Sequence, residues 1–173
     1  MNLSGKVALI TGGNRGIGAG CALALAKAGA DIAFTYRRDA DSANDTKAQI
    51  EALGRKVYVD QADVSIEEQA RSVCDNAIGK FGKVDILVAT AWIASRGNTV
   101  RDTSTEEFRR LMNTHVFGAL WVCQGVIDSM REQGDGRIIL ISSVATQKAS
   151  PNGGPYTMAK VAMEALANTL AQE

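Results

Sequence analysis

Residues Ala8-Leu9-Ile10-Thr11-Gly12-Gly13-Asn14-Arg15-Gly16-Ile17-Gly18 decide the fold. An apolar run reads as a buried strand. It enters a glycine-rich turn and then the helical pattern that continues from Ala19 to Lys27. Glycine lets the chain turn sharply and lets backbone approach a ligand closely. The first N–H groups of the following helix, and the positive end of its dipole, favour an anion such as a phosphate. Strand, glycine turn and helix in that order make a phosphate cradle.

Working outward, apolar strands alternate with helical patterns along the whole chain. Strands are expected over 6–11, 31–36, 56–60, 84–89 and 136–142. Helices are expected over 16–28, over 41–53 up to the stop at Gly54, from Ser65 to about 79–82, from Ser104 to about Met130, and from 154–156 onward. Ser65 with Glu68, and Ser104 with Glu107, have the spacing of capping boxes. Near-continuous apolar strands with helical crossovers predict an α/β fold, a doubly wound parallel sheet of Rossmann type. Right-handed crossovers give the strand order 3-2-1-4-5. The glycine turn, Asp63, Ala89 and Ser143 then all fall at carboxyl ends of strands, where such sheets bind ligands.

Size and charge narrow the class. The 173 residues suit a single domain, 1–173. Nineteen basic residues balance nineteen acidic ones, so there is no electrostatic reason to expect nucleic acid or an anionic membrane as partner. No stretch approaches the roughly 20 apolar residues of a membrane helix, and the N-terminus carries no apolar signal core, so a cytoplasmic location is expected. Cys21, Cys74 and Cys123 are odd in number and widely spaced. They fit neither a disulfide framework nor a metal site and read as reduced thiols.

A second signal lies far downstream. Tyr156-Thr157-Met158-Ala159-Lys160 opens the last helix, and Ser142-Ser143 precedes Tyr156 by one loop. Residues four apart on a helix share a face. An ammonium beside a phenol favours the phenolate, which makes the phenol usable as an acid or base.

With TGGNRGIG at 11–18 and Ser143, Tyr156 and Lys160 at this spacing, the chain resembles the short-chain dehydrogenase/reductase family over essentially its whole length. It looks similar to the 3-oxoacyl-carrier-protein reductase branch. The resemblance implies an oxidoreductase that moves a hydride between a nicotinamide cofactor and a ketone or secondary alcohol. It implies that Gly12, Asn14, Arg15, Gly16, Ile17 and Gly18 cradle the cofactor pyrophosphate and ribose. Asp63 and Val64 would meet the adenine, and Ala91 would lie beside the cofactor. Tyr156 would be the acid–base group, Ser143 would polarise the substrate oxygen, and Lys160 would hold the ribose. Asn113, in Leu111-Met112-Asn113-Thr114-His115, matches the family asparagine that anchors a water relay. His115, the only histidine, reads as a structural residue on a helix. Relatives form homotetramers by packing two long helices, so a homo-oligomer is expected.

The second strand ends in Phe34-Thr35-Tyr36-Arg37-Arg38. Relatives that prefer NAD(H) place a carboxylate here for the ribose hydroxyls; this chain has Tyr36. Arg37 and Arg15 suit the charge-assisted hydrogen bonds of a 2′-phosphate. NADP(H) is therefore expected over NAD(H).

Two features depart from the family pattern. Relatives carry Asn-Asn-Ala-Gly after the fourth strand, and this chain carries Ala89-Thr90-Ala91-Trp92. Trp92 puts an indole beside the expected nicotinamide and substrate space. The chain also ends at Glu173, where relatives continue through further strands and a substrate-covering segment. A C-terminally truncated domain, with strand five as an apolar edge, is expected. These departures leave a second reading open, a nucleotide-binding relative without catalytic activity.

Overall fold

The computed structural model describes residues 2–173. Five strands form one parallel sheet: β1 (Val7–Thr11), β2 (Asp31–Tyr36), β3 (Val57–Gln61), β4 (Ile86–Ala89) and β5 (Arg137–Leu140). Their order is β3-β2-β1-β4-β5, as the sequence predicts. The helices are α1 (Gly16–Lys27), α2 (Ala40–Ala52), α3 (Glu67–Phe81), α4 (Thr105–Met112), α5 (Gly118–Gln133) and α6 (Gly154–Leu170). The order reverses between β1 and β4, so the ends of these two strands open a crevice above the sheet.

Both faces of the sheet bury apolar side chains. On one face Ala8, Ile10, Ile32, Phe34 and Val88 pack against Ala22 and Ala26 of α1 and Ala43 and Ile50 of α2. On the other, Leu9, Ala33, Leu87 and Ala89 pack against Val73 and Cys74 of α3, Val122 and Val126 of α5, and Met163 of α6. Every residue of β1 is buried, which accounts for its unbroken apolar run. Each fully buried side chain of the size of Leu9 or Phe34 contributes on the order of 2 kcal/mol through burial. At the opposite end from the crevice, buried Asp85 accepts from the Val7 N–H at 2.8 Å and pairs with Lys6 and Lys83 at 3.0 Å each. That ties the start of β4 to the start of β1.

Four expectations need correction. Ser65 does not cap α3. Its hydroxyl donates to Asp63 at 2.6 Å instead, and the helix starts two residues later without a side-chain cap. Ser104 does cap α4, accepting from the Glu107 N–H at 3.1 Å, but the Glu107 carboxylate turns to Arg110 and Arg96 rather than back to the cap. The long helix expected from Ser104 to Met130 is broken by a π turn over Asn113–Phe117. Strand β5 is shorter than expected, ending at Leu140. It does lie at a sheet edge, and Ile139 is 45% exposed because no described helix covers that side of it.

Candidate active site

A cavity of about 640 Å³ opens at the carboxyl ends of the strands. Gly12, Asn14, Arg15, Gly16, Ile17 and Gly18 form its floor. Gly12 has φ +68° and Gly16 φ +56°, conformations that favour glycine. A Cβ on Gly18 would run into the carbonyl oxygen of Gly12 and lie 2.7 Å from Thr90 Oγ1. Helix α1 and the turn before it therefore touch backbone to backbone. The first turn of α1 has no side-chain cap and no acidic residue. Its N–H groups and dipole face the cavity uncompensated, which fits an anionic group.

The floor is held rigidly to the sheet by two threonines. Thr11 Oγ1 accepts from the N–H groups of Thr90 and Ala91, both at 3.2 Å, and Thr90 Oγ1 donates to the carbonyl of Thr11. Nothing in the sequence reading singled out this pair. Mutual bonding between the ends of β1 and β4 becomes visible only once the strands are known to be neighbours.

At one end of the cavity stand Tyr36, Arg37, Arg38 and Asp39, facing Ala62, Asp63 and Val64. Asp39 is occupied as the cap of α2, accepting from the Ser42 N–H at 3.0 Å and the Ser42 hydroxyl at 2.7 Å. Arg37 lies 3.4 Å from Asp63 Oδ2. Asp63 Oδ1 accepts from the Ser65 N–H at 3.0 Å and from its hydroxyl. Burial pushes the Asp63 carboxyl up, but the Ser65 hydrogen bonds and Arg37 outweigh it and hold the group below the usual carboxylate range.

The cavity is also lined by Ser143, Tyr156 and Lys160 and by Thr90, Ala91, Trp92 and Ile93. Pro155 at the start of α6 sets the helix entry, and the loop before it turns at Asn152 with φ +63°. Ser143 Oγ accepts from the Ala145 N–H at 3.2 Å, which leaves its own proton free to donate. Ser142 also borders the cavity, but its hydroxyl is committed to Glu164, to which it donates at 2.5 Å. The Lys160 ammonium is buried, lies 5.8 Å from the centre of the Tyr156 ring, and donates to the Ile141 carbonyl at 2.7 Å. Burial pulls the Lys160 ammonium down to about 8. Trp92 stands at the mouth, 62% exposed.

The structure does not bring Asn113 to this group. Asn113 is exposed on the outer side of the π turn and lines no part of the cavity. Its neighbours Thr114 and His115 point inward instead. Thr114 lines the cavity, and His115 packs edge-on against the Tyr156 ring at 5.4 Å between centroids. An asparagine in an uninterrupted helix would be placed by a period of 3.6 residues; the wider π turn shifts which residue faces inward.

The other sequence-derived residues line one continuous surface. Residues 6–173 match the family model for short chain dehydrogenases. The chain belongs to the short-chain dehydrogenase family. It is 36% identical over 171 residues to hydroxynaphthalene reductase arp2 of Aspergillus fumigatus, covering 99% of this chain and 62% of that relative's length. Among solved structures it is similar to a short-chain dehydrogenase of Burkholderia cenocepacia in complex with NADP, with TM-score 0.92 and 34% identity over 99% of this chain and 69% of that one. It is also similar to an NAD+-bound xylitol dehydrogenase, with TM-score 0.94 and 31% identity over 99% of this chain and 66% of that one. Dehydrogenases bound to either cofactor thus share this backbone. No described helix is long and apolar enough to cross a membrane.

Proposed function

We propose that this chain forms the cofactor cleft and proton-transfer site of an NADP(H)-dependent oxidoreductase that interconverts a ketone and a secondary alcohol. One observation carries the reading: the uncapped N-terminus of α1 and the trio Ser143, Tyr156 and Lys160 line a single cavity. A dinucleotide with its pyrophosphate at the first would extend toward the second.

The residues present fit such a group. The glycine turn packs backbone to backbone on α1 and leaves the uncapped N–H groups of that helix open to a pyrophosphate. When bound, the nicotinamide supplies or accepts the hydride. Tyr156 gives its phenolic proton to the carbonyl oxygen in reduction, or takes it from the alcohol in oxidation. Ser143 donates a hydrogen bond to that oxygen and favours the charge that develops on it. Lys160, charged below about pH 8, stabilises negative charge on the phenol and offers its remaining protons to the ribose hydroxyls. Ala91 and Val64 supply backbone and apolar wall. Tyr36, Arg37 and Arg15 support NADP(H) over NAD(H), because guanidinium groups pair with a 2′-phosphate and no free carboxylate stands at the end of β2. The half-exposed Phe117, stacked on Trp121 at 5.7 Å, and Val161 of α6 offer apolar surface for a second copy of the chain.

The test is a titration with NADPH and NADH followed by a panel of carbonyl substrates. Tighter NADPH binding and turnover that Tyr156→Phe abolishes support the proposal. Binding without turnover, with no effect of Tyr156→Phe, would favour a nucleotide-binding relative without catalysis.

A further inference from the structure

His115 is 1% exposed, yet it belongs to none of the groups assigned above. It sits in the π turn Asn113–Phe117, whose i→i+5 bond runs from the Gly118 N–H to the Asn113 carbonyl. Such turns re-aim side chains inside otherwise regular helices. The imidazole Nε2 lies 2.9 Å from the Ile93 carbonyl oxygen. The Ile93 N–H also lies against this nitrogen, at 3.4 Å, but the shorter contact is to a carbonyl, which only accepts, and it favours the ring proton on Nε2. Nδ1 is then a bare acceptor, buried without a protein partner. Burial holds the imidazolium form down to about 4; the Ile93 bond opposes this, while the nearby cations Lys160 and Arg110 add to it.

Two consequences meet at the cavity. The His115 and Tyr156 rings meet in a T-shaped pair at an interplanar angle of 84°, a favourable aromatic geometry. Its Nε2–H holds the main chain at Ile93, which lines the same cavity as Trp92 and Tyr156. The same segment is pinned again just beyond, where Arg110 donates to the Ala94 carbonyl at 2.8 Å. His115 thus connects Tyr156 to the Ile93 segment of the cavity lining.

We propose that His115 is a positioning residue: as a neutral Nε2–H tautomer it sets the tilt of the Tyr156 ring and fixes the Ile93 main chain relative to it. Its effect on turnover presupposes the proton-transfer role of Tyr156 proposed above; its effect on geometry does not.

The chain has a single histidine, so its side-chain nitrogen signals in a ¹⁵N-labelled sample are assigned without ambiguity. The expected spectrum shows Nε2 protonated and Nδ1 bare at pH 7, and the same neutral ring at pH 5.5. An Nδ1–H tautomer, or an imidazolium at pH 5.5, overturns the proposal. The second arm compares His115→Ala with His115→Gln, which keeps an N–H near the Nε2 position. The Tyr156 ring ¹³C signals, assigned through Tyr156→Phe, should move in the alanine variant and return toward the wild-type positions in the glutamine variant. NADPH affinity should hold in both. Carbonyl reduction should lose roughly tenfold to a hundredfold in kcat with alanine, with KM little changed, and recover most of this with glutamine. If the alanine variant does not fold, His115→Phe, which fills the space but cannot bond Ile93, replaces it. Wild-type ring signals in the alanine or phenylalanine variant contradict the proposal. If the wild-type chain reduces no carbonyl, the proposed function fails, while the nitrogen and ring signals still decide the role of His115.

Discussion

Lys160 Nζ lies 5.8 Å from the centre of the Tyr156 ring and gives one of its three protons to the Ile141 carbonyl at 2.7 Å. The bond anchors the ammonium to the end of β5, so the cation cannot swing away from the phenol. Its burial has a measurable consequence. The folded-state value of about 8 lies below the ordinary lysine value of 10.5. Between these two values the unfolded chain holds the proton and the folded chain does not. Stability attributable to this residue should therefore rise as pH increases from about 8 to 10.5. Urea unfolding at pH 7.5 and pH 10, compared with Lys160→Met, checks this: the wild type should gain relative to the variant at the higher pH.

Gly18→Ala should be the most damaging small change in the cleft. The added methyl meets the Gly12 carbonyl and Thr90 Oγ1, the latter fixed by its hydrogen bond to the Thr11 carbonyl. A cost of about 1–3 kcal/mol in stability is expected, with loss of NADPH binding. Gly20→Ala, where an added Cβ meets nothing within 4 Å, serves as the control and should leave both unchanged.

Arg37 lies against Asp63 only loosely, at 3.4 Å, with both side chains partly exposed. It is free to turn to a phosphate. Arg37→Asp should weaken NADPH binding by roughly tenfold to a hundredfold, the size of one charge-assisted contact, and spare NADH. Parallel fluorescence titrations measure the ratio. An unchanged ratio would refute the assignment of this end of the cavity to a 2′-phosphate.

Glu107 is buried and held down to about 2, chiefly by its hydrogen bonds from Arg110, with the Arg96 N–H and the two guanidinium charges assisting against burial. Its ordinary value is 4.5. The stability it contributes is fully present above that value and is lost as pH falls toward 2. Because Arg110 also bonds the Ala94 carbonyl, acid should loosen the segment carrying Trp92 and Ile93 before the sheet unfolds. Hydrogen exchange at residues 93–97 between pH 5 and pH 3 reports this. Glu107→Gln should show fast exchange there already at pH 5.

Much of this site was legible because its signals are local. The glycine turn, the Tyr156–Lys160 spacing and the missing carboxylate after β2 each lie within a few consecutive residues. The strand order followed from alternation and handedness. The features that differ depend on partners distant in sequence, on a departure from regular period, or on a nearby group that competes for the same side chain. Asn113 is singled out by its match to the family asparagine, a match that carries no sign of the π turn, where Asn113 is exposed and Thr114 and His115 are buried. Ser65 looked like a helix cap, but Asp63, two residues earlier, takes its hydroxyl. The Thr11–Thr90 pairing spans 79 residues and leaves no local pattern to read.

The most direct test of the central claim follows the hydride and the proton together. NADPH deuterated at the nicotinamide C4 is incubated with the chain and a panel of ketones, and the alcohols are analysed by mass spectrometry. Deuterium at the carbinol carbon, lost in Tyr156→Phe although NADPH still binds, is the predicted result. Labelled alcohol formed equally well by Tyr156→Phe, or saturating NADPH binding with no transfer to any ketone, would contradict it.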